Sequence, residues 1–186
     1  MNITVYLGST YGNDPDFQSK IIELGTWIAQ HGHTLVYGGS RTGLMGELAQ
    51  SVLDHGGNVI GVEAQRFVDE NVQMTNLTKL YIEKNITDRR TRMVELGDVF
   101  ITFPGGVGTL EEVSEIISKL SLDELHCPCI IYNVNGYYDL LKDFLEHMID
   151  CGLSTPNKQK HIHYVSNLQE IEKLIYQFDN LSMNML

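Results

Sequence analysis

Residues 104–112 read Pro-Gly-Gly-Val-Gly-Thr-Leu-Glu-Glu and follow directly on the run Val99-Phe100-Ile101-Thr102-Phe103, which has the composition of a buried strand. Without Cβ atoms, Gly105, Gly106 and Gly108 let the backbone approach an anion, and the free amides of a helix opening at this point would face it. The positive end of that helix adds roughly 0.3–1 kcal/mol, and up to about 2 kcal/mol when partly buried. Glu111 and Glu112 come immediately afterwards. Carboxylates so close to an anion site are electrostatically awkward unless at least one of them does chemistry on the bound molecule. The pattern therefore points to an enzyme.

A second glycine-rich turn, Gly38-Gly39-Ser40-Arg41-Thr42-Gly43-Leu44-Met45-Gly46, also follows a strand pattern. In a parallel sheet both turns lie at the carboxyl edge, where open α/β sheets bind ligands. The loop Gly8-Ser9-Thr10-Tyr11-Gly12 belongs to the same edge and offers hydroxyl or backbone contacts. Neither glycine turn has the dinucleotide spacing G-x-G-x-x-G or the Gly-Lys-Ser/Thr ending of a P-loop, which disfavours a dehydrogenase or an NTPase. Arg89, Arg90 and Arg92 share one short segment of an acidic chain. They need either carboxylate partners, such as Asp88 and Glu95 on a solvated face, or an anionic ligand that suits a planar fork of donors.

Short β-branched runs alternate with helical patterns along the whole chain, which predicts βαβ units and a parallel sheet covered on both faces. Strands are expected at Ile3 to Leu7, Leu35 to Tyr37, Asn58 to Val62, Leu80 to Ile82, residues 99–103 and Ile130 to Asn133. Asp14-Pro15 starts the first helix, whose apolar stripe is Phe17, Ile21, Leu24 and Ile28, and Gly32 ends it. A second helix buries Leu44, Leu48 and Val52, a third runs from about Thr87 to Leu96, and Val113, Ile116, Ile117 and Leu120 face inward from the helix after the glycine loop. Tyr137, Leu140, Leu141, Phe144 and Met148 are spaced for a helix packed on the sheet. Asn167 with Glu170 three residues on caps a last helix. Residues 63–78 read as an irregular excursion over the sheet edge, and His161 and His163 as solvated loop residues.

The 186 residues fit one domain, 1–186, with a continuous core. A formal charge of −11 disfavours nonspecific binding to nucleic acid or an anionic membrane, so a phosphorylated ligand should be small and locally held. With no basic segment ahead of an apolar run, the chain reads as soluble and intracellular, hence cytoplasmic. Three cysteines, Cys127, Cys129 and Cys151, make a disulfide framework improbable, and Cys127-Pro128-Cys129 lacks the two-residue spacing of metal or redox pairs.

In their order along the chain, Tyr37-Gly38-Gly39, Gly43-Leu44-Met45-Gly46, Arg89-Arg90 and Pro104 to Glu112 resemble the LONELY GUY family of cytokinin riboside 5′-monophosphate phosphoribohydrolases. The likeness runs from about residue 3 to about 150. It implies a Rossmann-like, doubly wound α/β fold with a mainly parallel sheet and helices on both faces. It also implies a homodimer in which the neighbouring subunit completes the site. The implied reaction is hydrolysis of the N-glycosidic bond of a nucleoside 5′-monophosphate, AMP or an N6-modified AMP, to free base and ribose 5-phosphate, with no metal or organic cofactor.

Carried onto this chain, the resemblance makes Arg89 and Glu112 catalytic. The substrate would be bound by Gly38, Gly39, Met45, Arg90, Gly105, Gly106, Val107, Gly108, Thr109 and Glu111. Glu112 would stabilise positive charge on the ribose and orient or deprotonate the attacking water, while Arg89 binds substrate and keeps the glutamate ionised. Glu111 has an alternative reading as a helix-start acid stabilised by the dipole, since neighbouring helical residues point about 100° apart. Three departures from the family pattern bear on the base pocket: Arg90 replaces the usual lysine, Ile86 a methionine and Val107 a Tyr or Phe; Glu63-Ala64 also departs, from the usual Ile-Pro.

Two other readings compete. A nucleotide-binding carrier without turnover resembles the molybdenum-cofactor carrier branch of these Rossmann-like proteins. A decarboxylase, the label many bacterial relatives inherited, would need a Schiff-base lysine beside its phosphate site, and no lysine follows the glycine loop before Lys119.

Overall fold

The computed structural model describes residues 1–183, with side chains up to Asn180. Seven strands, β1 (Asn2–Tyr6), β2 (Thr34–Tyr37), β3 (Asn58–Ala64), β4 (Lys79–Glu83), β5 (Val99–Thr102), β6 (Cys129–Tyr132) and β7 (Ile162–Val165), form one sheet in the order β4-β3-β2-β1-β5-β6-β7. All six pairings are parallel. The strand order reverses direction between β1 and β5, which opens a crevice at the carboxyl ends of these two neighbours.

Among the described residues seven α-helices accompany the strands: α1 (Asp16–Gln30), α2 (Gly43–Asp54), α3 (Gln65–Asp69), α4 (Ile86–Leu96), α5 (Val107–Ser121), α6 (Asp139–Asp150) and α7 (Leu168–Met183). The period-2 alternation of β1 sorts its side chains between two cores. Ile3 and Val5 join Ile21 and Leu24 of α1, Leu48 of α2 and Ile171 of α7. Tyr6 turns the other way, to Met93 of α4 and Val113 and Ile116 of α5. The expected stripe of α1 is buried in full, as are Leu44, Leu48 and Val52 of α2. Asp14 Oδ1 accepts the Asp16 amide at 2.9 Å, and Gly32 leaves α1 in the left-handed region at φ +68°. The cap of α7 also forms as expected: Asn167 Oδ1 accepts the Glu170 amide at 3.0 Å, and Glu170 reaches back to the Ser166 amide.

Three expectations need correction. Residues 63–78 are not wholly irregular: β3 extends to Ala64, α3 follows, and Ser40 and Gln73 make an isolated antiparallel bridge. Five residues are too few to show helical periodicity. His163 lies on β7 rather than in a loop, because Ile162-His163-Tyr164-Val165 pairs with β6 as an edge strand. The stripe assigned to α6 is split. Leu145 is buried and Leu141 packs on the second core, while Leu140 is 84% and Phe144 56% exposed. The helix carries apolar residues on two faces, and only one can meet the sheet.

Candidate functional site

The end of β3, the starts of α4 and α5 and the turn after β2 bring the predicted residues together. Asn85 caps α4, its side chain accepting the Asp88 amide at 2.9 Å, and a cap of this kind stabilises by about 1 kcal/mol. Arg89 is thereby fixed on the first turn of α4, under the carboxyl ends of β2 and β3. Its Nε donates to the Val62 carbonyl at 2.9 Å and its Nη1 to Glu112 Oε1 at 3.0 Å. Both side chains of that ion pair are nine-tenths buried. Burial pushes the Glu112 carboxyl above its ordinary pKa, and the Arg89 guanidinium pulls it back without cancelling the effect. Arg89 thus acts on Glu112 in the expected direction, toward the ionised form, against a larger opposing effect of burial.

Gly38 has a steric reason to lack a side chain. A Cβ there would collide with Arg89 Nη2 and Met45 Cε. Gly38→Ala is expected to displace the guanidinium, lowering any Arg89-dependent turnover about 100-fold and stability by about 1–3 kcal/mol. Steady-state kinetics and urea unfolding read the two effects; an alanine variant with unchanged kcat would show that the position of Arg89 is not critical. Gly39 turns the chain at φ +83° and packs against Glu63.

The glycine loop divides its labour. Gly105 is packed, its Cα against Gly8, and its carbonyl accepts the Tyr137 hydroxyl. Apart from their own chain neighbours and the local helix backbone, nothing stands within 4 Å of where a Cβ of Gly106 or Gly108 would be, so packing against other elements does not require glycine at either position. Gly106 is also the N-cap of α5 and has no side chain to cap it. The first amides of α5 are left to whatever enters the space in front of them. That space is a cavity of about 610 Å³, within the range of about 300–1,000 Å³ usual for small-molecule sites. Gly106, Val107, Gly108 and Thr109 line it, with Gly38 and Met45 from the second turn and Gly8 and Ser9 from the first.

The three arginines separate by helix face. Arg89 turns inward. Arg90, at the cavity rim, bridges Glu111 and Glu115 of α5, the latter at 3.0 Å. Arg92 pairs with Glu83 and with Glu95, the latter as the solvated-face reading expects. Of the adjacent acids, Glu112 is thus the buried one and Glu111 sits half exposed at the rim.

Sequence reasoning left several lining residues out. Glu63 is only 2% exposed and faces the cavity, with Oε1 3.7 Å from Arg89 Nε. Burial pushes its carboxyl up to about 7, opposed by Arg89 and by the Ala64 amide. The signal was present as a charge closing the otherwise apolar strand Val59-Ile60-Gly61-Val62. Arg66 and Phe67 of α3 and Val72 form a wall from the segment read as irregular, and Ile86 and Val107 both line the cavity.

A parallel α/β sheet with a glycine-opened helix start and a buried arginine–glutamate pair facing one cavity defines a Rossmann-like protein built for a small anionic ligand. Comparison with known proteins narrows this class. The chain belongs to the family whose model is described as "Possible lysine decarboxylase", which matches residues 45–175. The cytokinin riboside 5′-monophosphate phosphoribohydrolase of Rhodococcoides fascians is 37% identical over 162 residues, covering 87% of this chain and 82% of the relative. An Arabidopsis thaliana enzyme of the same description is 31% identical over 177 residues, covering 95% and 82%. Among solved structures, the molybdenum cofactor binding protein of Rippkaea orientalis superposes with a TM-score of 0.68 at 20% identity, covering 95% of each chain. The Moco carrier protein of Chlamydomonas reinhardtii gives 0.69 at 19% identity, covering 95% of this chain and 98% of the carrier. At that identity the likeness is one of fold.

Proposed function

We propose that this protein is a nucleoside 5′-monophosphate phosphoribohydrolase, which cleaves the N-glycosidic bond of AMP or an N6-modified AMP to free base and ribose 5-phosphate. The observation that carries this reading is the buried Arg89–Glu112 pair facing the same cavity as the uncapped start of α5. The 5′-phosphate sits on the α5 amides with Thr109, which fixes the ribose against Glu112. Positive charge growing on the ribose as the C–N bond breaks is stabilised by the Glu112 carboxylate, which also takes the proton of the attacking water. Arg89 holds that carboxylate and meets the substrate. Gly38, Gly39, Met45, Arg90, Glu111 and the rest of the glycine loop shape the binding site. Curated relatives of this description, spanning most of the chain, support the same reaction.

Residues 1–186 act as one nucleotide-binding domain, in the cytoplasm, on a small molecule rather than a nucleic acid or membrane. The charge of −11 and the free Cys127 and Cys129 favour this setting. Among the described residues no helix is long and apolar enough to cross a membrane. The decarboxylase label finds no support in the cavity: among the described residues no lysine lines it, and Lys119 pairs with Glu124 near the far end of α5.

The working form is a homodimer. Leu140 and Phe144 of α6, with Val107 and Leu110 at the start of α5, leave apolar surface on the side of the sheet that carries the second core. Phe144→Glu is expected to convert a dimer to a folded monomer of half the mass in analytical ultracentrifugation. A wild-type monomer, or a dimeric variant, would place the interface elsewhere.

Chromatographic detection of free base after incubation with AMP and, separately, with N6-isopentenyl-AMP tests the function. Base release by the wild-type protein and not by the Glu112→Gln blank supports it. Nucleotide binding without release from either substrate would mark a carrier.

A further inference from the structure

Glu63 is a second buried carboxyl of the cavity, and nothing assigned so far to the reaction uses it. It is the penultimate residue of β3 and directly follows Val62, whose carbonyl accepts Arg89 Nε. Arg89 therefore spends Nε on Val62 and Nη1 on Glu112, and approaches Glu63 at 3.7 Å without donating a hydrogen bond to it. Among the described residues, Glu63 accepts one hydrogen bond, from the Ala64 amide to Oε1 at 3.1 Å. Oε2 has no donor among them and stands by Gly39, at the carboxyl edge where the ligand cavity opens.

The two carboxyls on either side of Arg89 therefore differ in the donors they meet: Glu112 receives a charge-assisted hydrogen bond from the guanidinium and Glu63 only the neutral one of the Ala64 amide. A charged donor holds a carboxylate ionised more strongly than an amide does, so burial weighs more heavily on Glu63. Two carboxyls in unlike surroundings are how one site can supply both a base and an acid.

We propose that Glu63 donates the proton that the departing base requires, as the acid partner of Glu112 across Arg89. The proposal rests on the phosphoribohydrolase reading. As the C1′–N bond breaks, its electron pair goes to the base and the Glu63 hydroxyl proton passes to a base nitrogen. The water oxygen bonds C1′ and gives its proton to Glu112. Glu63 ends as carboxylate and Glu112 as acid, and proton exchange with solvent restores both.

The carboxyl of Glu63, held up near 7 by burial, keeps a large protonated fraction at neutral pH. The titratable and charged groups around it are Tyr37 of β2, Arg89 of α4, Glu112 of α5, and Arg66 and Glu70 of α3; the β4 residue beside it is the uncharged Ile82.

The test compares AMP with p-nitrophenyl β-ribofuranoside 5-phosphate, whose phenolate leaves without needing a proton. Glu63→Gln keeps the shape and the Ala64 contact but has no proton to transfer. It is expected to lower kcat on AMP about 100-fold and to leave the nitrophenyl substrate within about threefold, which also shows that the variant is folded. In the wild-type enzyme, kcat/KM for AMP should fall as pH rises through about 7 while the nitrophenyl substrate shows no such limb. This arm needs no variant. Equal losses on both substrates, an unaffected AMP rate, or an alkaline limb shared by both substrates would overturn the proposal while leaving the phosphoribohydrolase reading intact. A wild-type protein inactive on both substrates would overturn that reading and this one with it.

Discussion

Glu112→Gln is expected to lower base release from AMP by about 10²–10⁴-fold, the range that a positioned general base contributes. Glutamine fits the same space and still accepts from Arg89 Nη1, so the loss should come without loss of fold. The melting temperature should still fall, because Arg89 keeps its buried charge and loses the carboxylate that met it. What disappears is a carboxylate that can carry negative charge beside the ribose and take a proton from water. The wild-type pH profile carries a second signature. Burial raises the Glu112 pKa more than Arg89 lowers it. A base must be ionised to act, so the rate should fall as pH drops through a value above the ordinary glutamate range. A Gln variant within tenfold of wild type, or an acid limb at the ordinary glutamate pKa, would remove Glu112 from the role of base.

Arg89→Ala is expected to abolish turnover and to destabilise the fold more than the Glu112 change does. The guanidinium serves the Val62 carbonyl and Glu112 by hydrogen bonds and Glu63 by charge. Removing one partner of a buried ion pair costs about 3–5 kcal/mol, because the charge left behind is uncompensated. Two buried carboxyls would lose their common cation, so both pKa values rise further. The folded variant then binds more protons than the unfolded chain over the interval between the ordinary glutamate pKa and those raised values. Stability accordingly falls as pH rises through it. The deficit in thermal stability against wild type should be larger at pH 8 than at pH 5. Arg89→Lys should not restore activity, since one ammonium cannot reproduce the planar fork that reaches both acceptors. An alanine variant equally stable at both pH values would mean that Glu112 and Glu63 do not depend on Arg89 for their charge.

Much of this architecture was legible in the chain. The alternation of β-branched runs with 3.6-period stripes is a local property, and it located six of the seven strands and the stripe of α1 residue by residue. The glycine loop was equally plain, because strand, turn chemistry and helix start lie within a dozen residues. Edge strand β7 was missed since four residues carry little periodicity until a neighbour supplies hydrogen bonds. For α6, two apolar faces gave the sequence no way to say which would meet the sheet.

Within the cavity, the sequence by itself determined the ingredients: an anion-binding helix start, an arginine cluster and a pair of adjacent acids. It also selected Glu112 over Glu111, through family resemblance. Only the tertiary structure decided that Arg89 turns inward while Arg90 and Arg92 pair at the rim and surface, and that Glu63 joins the site. The physical reason is that each residue along a helix rotates the side chain by about 100°. Which direction faces the cavity is then fixed by packing against β3 and α5, whose contributing residues lie 27 and 23 positions away from Arg89 along the chain.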